Sequence, residues 1–277
     1  MGTSLVNEQS EDRMRLIKEE MRAYYDALAP SALAGRTHAV AGKHRSILDP
    51  VPSRAYFQQR KIDSALRLGE FEPDQQILEV GCAAGYFTFL LAGMGYRLTG
   101  VDLSSSSIDL AKQLGRELGF EDVVFTQGDF EALTDIPDNT FDGLVSFSTI
   151  RYLPDPLAAL REARRVVRPG GRIVVDFPNR YCPWFRFMKT RFGVNEHPHD
   201  RHFSQREVHS LFEDAGIEAV ASRKILFTPT VTPTTLLPAM RCVDRVAEVV
   251  PGVRETAAII MCSGRVAKVP CAADTGL

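Results

Sequence analysis

The run Ile77-Leu78-Glu79-Val80-Gly81-Cys82-Ala83-Ala84-Gly85-Tyr86-Phe87 constrains this chain more than any other stretch. An apolar strand broken by one acidic residue gives way to small residues, and a helical pattern begins at Tyr86. Gly81 and Gly85, with alanines between them, let backbone approach a ligand where a β-carbon would stand in the way. A strand, a tight turn and a helix start in that order form a site for a nucleotide-like ligand. A dinucleotide fingerprint needs its third glycine at position 86, where this chain has Tyr86. Glu79, when ionised, only accepts hydrogen bonds and repels a pyrophosphate. The turn therefore suits a cationic or hydroxyl-bearing ligand.

Beyond Pro73, strand-like runs at 76–80, 97–102, 123–126, 141–147 and 172–177 alternate with helical patterns, which predicts a parallel sheet with helices on both faces. Asp155-Pro156 reads as an N-cap with proline in the first turn, and Arg168-Pro169-Gly170-Gly171 as the turn that ends that helix. Ser204-Gln205-Arg206-Glu207 is a capping box, with Phe203 and Val208 at staple spacing and Gly216 as the stop. Further strand-like runs at 219–227 and 257–266 are expected to form an antiparallel pair. The connection between them, 228–256, repeats Leu236, Met240, Val243, Ala247 and Val250 at helical steps. Upstream, apolar residues at 14, 17, 21, 24 and 28 give an amphipathic helix stopped by Pro30, and Tyr56 to Leu68 reads helical again. Residues 1–70 are expected to be a helical extension or lid, and 71–277 the ligand-binding domain.

With 277 residues, 44% hydrophobic and 25% charged, the chain suits one large globular domain with extensions. Lys plus Arg number 33 against 35 Asp plus Glu, with no block of like charge, so a phosphate-tracking nucleic-acid surface is not expected. Five scattered cysteines, never in C-x-x-C spacing, fit a reducing compartment without disulfides or structural zinc. No apolar run has signal-peptide or membrane-span length, and a cytoplasmic protein is expected. Val6 occupies the position where N-myristoylation needs Ser or Thr, and Cys271 is too far from the end for prenylation.

Glu79-x-Gly81-x-Ala83-x-Gly85 resembles motif I of class I S-adenosylmethionine-dependent methyltransferases, E-x-G-x-G-x-G, with Ala83 in place of the middle glycine. Leu98 to Ser104 carries Asp102, 23 residues beyond Glu79, at a strand end. There a carboxylate either accepts both ribose hydroxyls of an adenosine or caps a helix. Gly128-Asp129-Phe130 resembles the family element that contacts the adenine amino group and ring face, although Asp after Gly is also a common turn. Phe141 to Ser146 and Arg168 to Val175 resemble the fourth and fifth strand elements. The similarity covers 77–177, and more weakly extends to 227.

This resemblance implies an α/β, Rossmann-like, seven-stranded and mostly parallel sheet, with an N-terminal helical lid and a helical insertion before the last strand. It implies S-adenosylmethionine as methyl donor and a small-molecule acceptor. Oxygen is the acceptor atom the family favours, and carbon methylation of a prenyl, quinone-like or lipid-like acceptor is the alternative. An NAD(P)-dependent oxidoreductase and a non-catalytic cofactor-binding protein are the rivals from other classes, and Tyr86 counts against the first. Candidate cofactor residues are Glu79, Gly81, Cys82, Ala83, Gly85, Asp102, Leu103, Gly128, Asp129, Phe130 and Phe147.

The acceptor side departs from the family. Many quinone-type O-methyltransferases carry Glu-His before a V/L-P-D-P segment; here Arg151-Tyr152 precede Leu153-Pro154-Asp155-Pro156, so no metal is expected there. His197, His199 and His202 fall within six residues, as a metal cluster, a base for an acceptor hydroxyl, or exposed loop histidines. His202 and Tyr152 are the candidate catalytic groups, and Tyr24, Tyr25, Arg151, Trp184 and His199 the candidate acceptor contacts. The aromatic and basic residues between Phe177 and Phe203 read as a lid, a membrane contact or simple packing. The 228–256 connection reads as part of the acceptor pocket, a homodimer contact or a cover for the sheet edge.

Overall fold

The computed structural model describes residues 12–27, 52–185 and 199–267. Among them, strands β1 (Gln76–Val80), β2 (Arg97–Asp102), β3 (Val124–Gln127), β4 (Phe141–Ser146), β5 (Val167–Pro178), β6 (Ile217–Ile225) and β7 (Ile259–Val266) form one sheet. Its order is β3-β2-β1-β4-β5-β7-β6. The first five strands are parallel, while β7 runs antiparallel to both β5 and β6. This is the mixed, Rossmann-like sheet expected from the sequence.

Strands buried on both faces read as nearly continuous apolar runs. On one face Leu78, Leu144, Ile173, Val175 and Phe177 pack with α5 (Pro156–Val166) and α6 (Gln205–Asp214). On the other, Ile77, Val145 and Val174 meet α2 (Pro52–Gly69) and α3 (Tyr86–Ala92). α4 (Ser105–Leu118) closes a third cluster with Phe89 and Phe125. Residues 12–27 form helix α1, and the 228–256 connection holds α7 (Leu237–Ala247) and a 3₁₀ turn at Val253–Thr256. Strand order reverses between β1 and β4, so a ligand crevice belongs outside the C-terminal ends of those strands.

Asp155 caps α5 by accepting from Leu157 and Ala158 N–H, each at 3.0 Å, and the capping box at Ser204 is formed in both directions. One expectation fails. Arg168-Pro169-Gly170-Gly171 is not a loop between helix and strand: α5 runs directly into β5, and these residues bulge within it. Phe141 pairs with Val167 and Gly143 with Arg172, so Asp142 alone faces four residues of β5. Gly170, at φ +86°, takes the bend. β6 starts and ends two residues ahead of its expected span.

Candidate active site

The turn after β1 has Gly81 at φ +77°, Ala83 at +47° and Gly85 at +83°. Gly81 and Cys82 N–H both donate to Val101 O, at 2.7 and 3.1 Å, which holds the turn on the end of β2. A β-carbon on Gly81 would lie 1.9 Å from Thr149 Oγ1, so only glycine fits. Ala83 carries its β-carbon in the left-handed region, at a cost of about 1 kcal/mol, where the resembling motif has glycine. Gly85 answers a different need: a β-carbon there would meet Phe89 and Phe125 at 2.8 and 2.9 Å, so packing of α3 requires it.

Above the turn lies a cavity of about 360 Å³. Gly81, Cys82 and Ala83 line it from the turn, Asp102 and Leu103 from the end of β2, and Gly128, Asp129 and Phe130 from the segment after β3. Phe147, Ser148, Thr149, Tyr152, Leu153 and Pro154 follow β4 around its wall. Helix α1 adds Lys18, Met21 and Tyr25, α2 adds Gln58, and α3 adds Tyr86 and Phe87. Nine of the eleven cofactor candidates are thus brought to one cavity; Glu79 and Gly85 stand behind it.

Asp102 Oδ2 accepts Ala83 N–H at 2.8 Å and Oδ1 accepts Ser104 N–H at 2.9 Å. Each oxygen has capacity for one more hydrogen bond, which is what a pair of vicinal hydroxyls needs. The cap of α4 is Ser104, whose Oγ accepts Ser107 N–H at 3.0 Å, and burial raises the Asp102 pKa. Asp129 makes the turn expected of it, accepting Glu131 N–H at 2.9 Å, and its other oxygen accepts from Lys18 Nζ at 2.7 Å. Lys18 also pairs with Glu131 at 2.5 Å, so α1 is latched across this end of the cavity.

Glu79 is fully buried; Oε2 accepts the Thr88 hydroxyl and Oε1 has no hydrogen-bond partner. Burial pushes its pKa up to about 8; Asp102 adds to the rise, while the Thr88 bond and Lys61 oppose it. In the unfolded chain Glu79 titrates near the ordinary 4.5, so the folded protein binds this proton more tightly. The associated stability is complete below about pH 4.5 and is lost as pH rises to about 8. Melting temperatures of the wild type should therefore fall relative to Glu79→Gln across that window; parallel pH profiles would contradict the burial account. Asp102, at the cavity wall beside the turn, suits a ligand that donates hydrogen bonds or carries positive charge, as a sulfonium nucleoside does, and opposes a pyrophosphate.

Tyr25 and Tyr152 meet at the wall with ring centroids 6.2 Å apart and a hydrogen bond between their hydroxyls. Burial raises both pKa values, so at neutral pH each is a protonated hydrogen-bonding group and no base. The other acceptor-side candidates do not line the cavity. The His202 ring packs on Phe185 at 5.1 Å, and His199 Nε2 lies 3.3 Å from Glu20. The Arg151 guanidinium is held by both oxygens of Asp200, at 2.6 and 2.5 Å, and lies over the Tyr152 and Phe185 rings. Tyr24 packs edge-on against Tyr25, and Trp184 is 38% exposed. His197 lies outside the described residues. Lys18, Met21 and Gln58 enter the cavity wall without having been anticipated.

A family model described as a methyltransferase domain matches residues 71–216. The chain belongs to this family. The match runs from just before β1 to the end of α6 and takes in every strand-end segment of the cavity. The chain is a class I S-adenosylmethionine-dependent methyltransferase, and the donor expected from motif I is its cofactor. Among relatives, the methyltransferase is 28% identical over 210 residues to the demethylmenaquinone methyltransferase of Bacillus subtilis (strain 168), covering 67% of this chain and 90% of that one. It is 27% identical over 217 residues to the enzyme of the same name from Bacillus cereus (strain B4264), covering 69% and 91%. Solved structures share the fold: a SAM-dependent methyltransferase from Thermotoga maritima (TM-score 0.58, 22% identity, 77% of this chain and 90% of that one) is one. The cyclase SpnF is another (TM-score 0.61, 21% identity, 90% and 96%).

Proposed function

We propose that this methyltransferase transfers the methyl group to a ring carbon of a hydroxylated, quinol-like aromatic small molecule. The observation that carries the reading is the aromatic wall of Phe87, Phe147, Tyr25 and Tyr152, in which no described histidine takes part. A flat ring fits between such faces. An acceptor whose own ionised hydroxyl enriches its ring attacks the methyl group from carbon. The carbon–sulfur bond breaks to leave S-adenosylhomocysteine, and the proton on the attacked carbon passes to water as the ring rearomatises, so no protein base is called for. The names of the Bacillus relatives support the same acceptor class. Oxygen methylation of such a ring is the second reading, favoured by the Tyr25–Tyr152 hydroxyl pair, which can orient a phenol.

Bound S-adenosylmethionine supplies an electrophilic methyl group on a sulfonium. In this reading Asp102 holds the ribose hydroxyls and Asp129 accepts from the adenine amino group. Leu103 and Phe130 flank the base, and the Gly81–Ala83 backbone lies along the amino-acid portion. Helix α1 acts as a lid, with Lys18, Met21 and Tyr25 excluding water so that donor and acceptor stay aligned, whereas α2, expected in the same lid, packs on the sheet and belongs with the domain of 71–277. Such alignment is worth effective molarities of about 10⁵–10⁸ M, against about 10²–10⁴-fold for a general base.

Asp102→Ala is expected to weaken S-adenosylhomocysteine binding by about 1–3 kcal/mol in calorimetry. Unchanged affinity would remove the ribose role. For the reaction itself, the protein is incubated with methyl-labelled cofactor and a panel of naphthoquinols and benzoquinols. A product with a ring C-methyl resonance is expected, an O-methyl resonance selects the second reading, and no label transfer to any quinol sinks both.

A further inference from the structure

We infer that the insertion between β6 and β7 seats this enzyme on an anionic membrane surface. α7 departs from the usual surface helix, in which apolar side chains face the core and charges face solvent: beside Leu237 and Ala247 its inner face holds an acid, and its valines are left exposed. Asp244 is fully buried and accepts from Phe227 N–H, Thr228 N–H and the Thr228 hydroxyl at 2.6, 3.1 and 2.7 Å. Glu248 accepts Leu226 N–H at 3.0 Å and pairs with Arg60. Asp244 and Glu248 are thus turned inward onto the chain that leaves β6, while Glu255, at the end of the insertion, pairs with Lys224.

The valines point the other way. Val243, Val246 and Val250 follow one another at helical steps, joined by Val249, by Leu236 before them and by Val253 after them, and all six are exposed. Val246 and Val249 are 62% and 68% exposed. Single exposed apolar residues are ordinary, but six between 236 and 253 make a patch that calls for a partner. Along the valine stripe itself the exposed charge has one sign, and the first exposed acid, Glu255, lies beyond it and is paired with Lys224 and Arg254. The only exposed charged side chains from 236 to 253 are Arg241 and Arg245, one helical turn apart. Among the described residues neither meets a carboxylate, and Arg241 stacks over Tyr56 at 4.9 Å.

An apolar stripe edged by arginines matches a helix lying in the headgroup layer, with valines in the acyl boundary and guanidinium groups on lipid phosphates. A second copy fits less well, because a two-fold contact sets this patch against itself and offers the arginines no acid. The position also serves the enzyme. Arg241 and Arg245 line a cleft of about 600 Å³ with Tyr86, which lines the donor cavity as well. A bilayer at this face brings a lipid-dissolved acceptor beside that cavity. Docking does not depend on the quinol-like acceptor and is measured without turnover.

The test is co-sedimentation of the full chain with vesicles of equal parts phosphatidylcholine and phosphatidylglycerol, and with phosphatidylcholine alone. Binding to the anionic vesicles only, weakened by salt, is expected. Arg241→Gln with Arg245→Gln should lower partitioning about thirtyfold, the loss of two basic residues at about 1 kcal/mol each. Val246→Asp with Val249→Asp should abolish it, with circular dichroism and S-adenosylhomocysteine binding unchanged in both variants. Absence of binding to anionic vesicles, or binding indifferent to both pairs of substitutions, overturns the proposal. So does a concentration-dependent dimer that Val246→Asp breaks in the absence of lipid, since it would give the face to a second copy.

Discussion

Valine at position 81 is expected to leave no measurable cofactor binding or methyl transfer. The β-carbon alone would lie 1.9 Å from Thr149 Oγ1 and 2.5 Å from its methyl group, on a residue whose φ is +77°. Relief requires moving either the turn or the segment from Phe147 to Tyr152, and both line the cavity. Left-handed backbone costs an L residue about 1–2 kcal/mol and overpacking about 1–3. Against a typical total stability of about 5–15 kcal/mol, much of the fold survives while the cavity does not. Truncating the obstacle in Gly81→Ala/Thr149→Ala should recover only part of the loss, because Thr149 Cβ is itself 2.6 Å from the new carbon and φ is unchanged. Melting curves and S-adenosylhomocysteine titration read the two effects separately. Wild-type affinity in Gly81→Val would refute the close-approach account.

Lys61→Met should be the most destabilising single change in the helical segment ahead of the sheet. Lys61 is 1% exposed, 2.5 Å from Asp176 Oδ2, and donates to Ser148 Oγ at 2.7 Å. Its ammonium also lies 5.2 and 5.5 Å from the centroids of Phe87 and Phe147, which stack on each other at 4.4 Å. Asp176 Oδ1 accepts Ser148 N–H at 2.5 Å, and Ser148 sits at φ +58° on the cavity wall. Removing the lysine strands a buried carboxylate, at about 3–5 kcal/mol, whereas replacing both partners is close to neutral. Lys61→Met/Asp176→Leu should therefore regain most of the stability in urea unfolding. Turnover should stay low, because Ser148 has lost both partners that hold it. A single variant as stable as wild type, or a double variant with full turnover, would contradict this positioning role.

The donor side could be read from the chain because its requirements are local. Gly81 and Asp102 are imposed by strand ends and by backbone conformations that few residues adopt, and such demands leave a mark at the residue itself. The caps of α5 and α6 were visible for the same reason. The acceptor side is assembled from distant segments. The apolar residues at 14, 17, 21, 24 and 28 did identify α1, but of that stripe only Met21 lines the cavity, beside Tyr25 and Lys18, whose ion pairs with Asp129 and Glu131 join segments far apart in the chain. Lys61 left no trace, since a lysine in a helix reads as solvent-facing until Asp176, from the fifth strand, is placed beside it. His202 stood out by composition and proximity to a capping box, yet Phe185 takes its ring. The Arg168–Gly171 bulge has turn chemistry within a strand whose pairing is made at Val167 and resumes at Arg172, which residue preference alone cannot foresee.

Calorimetric titration of the full chain with S-adenosylhomocysteine, and in parallel with NADH, tests the central claim most directly. One-to-one binding of S-adenosylhomocysteine is predicted, weakened by Asp102→Ala and lost in Gly81→Val, with no saturable binding of NADH. Saturable NADH binding together with no heat from S-adenosylhomocysteine would contradict the account.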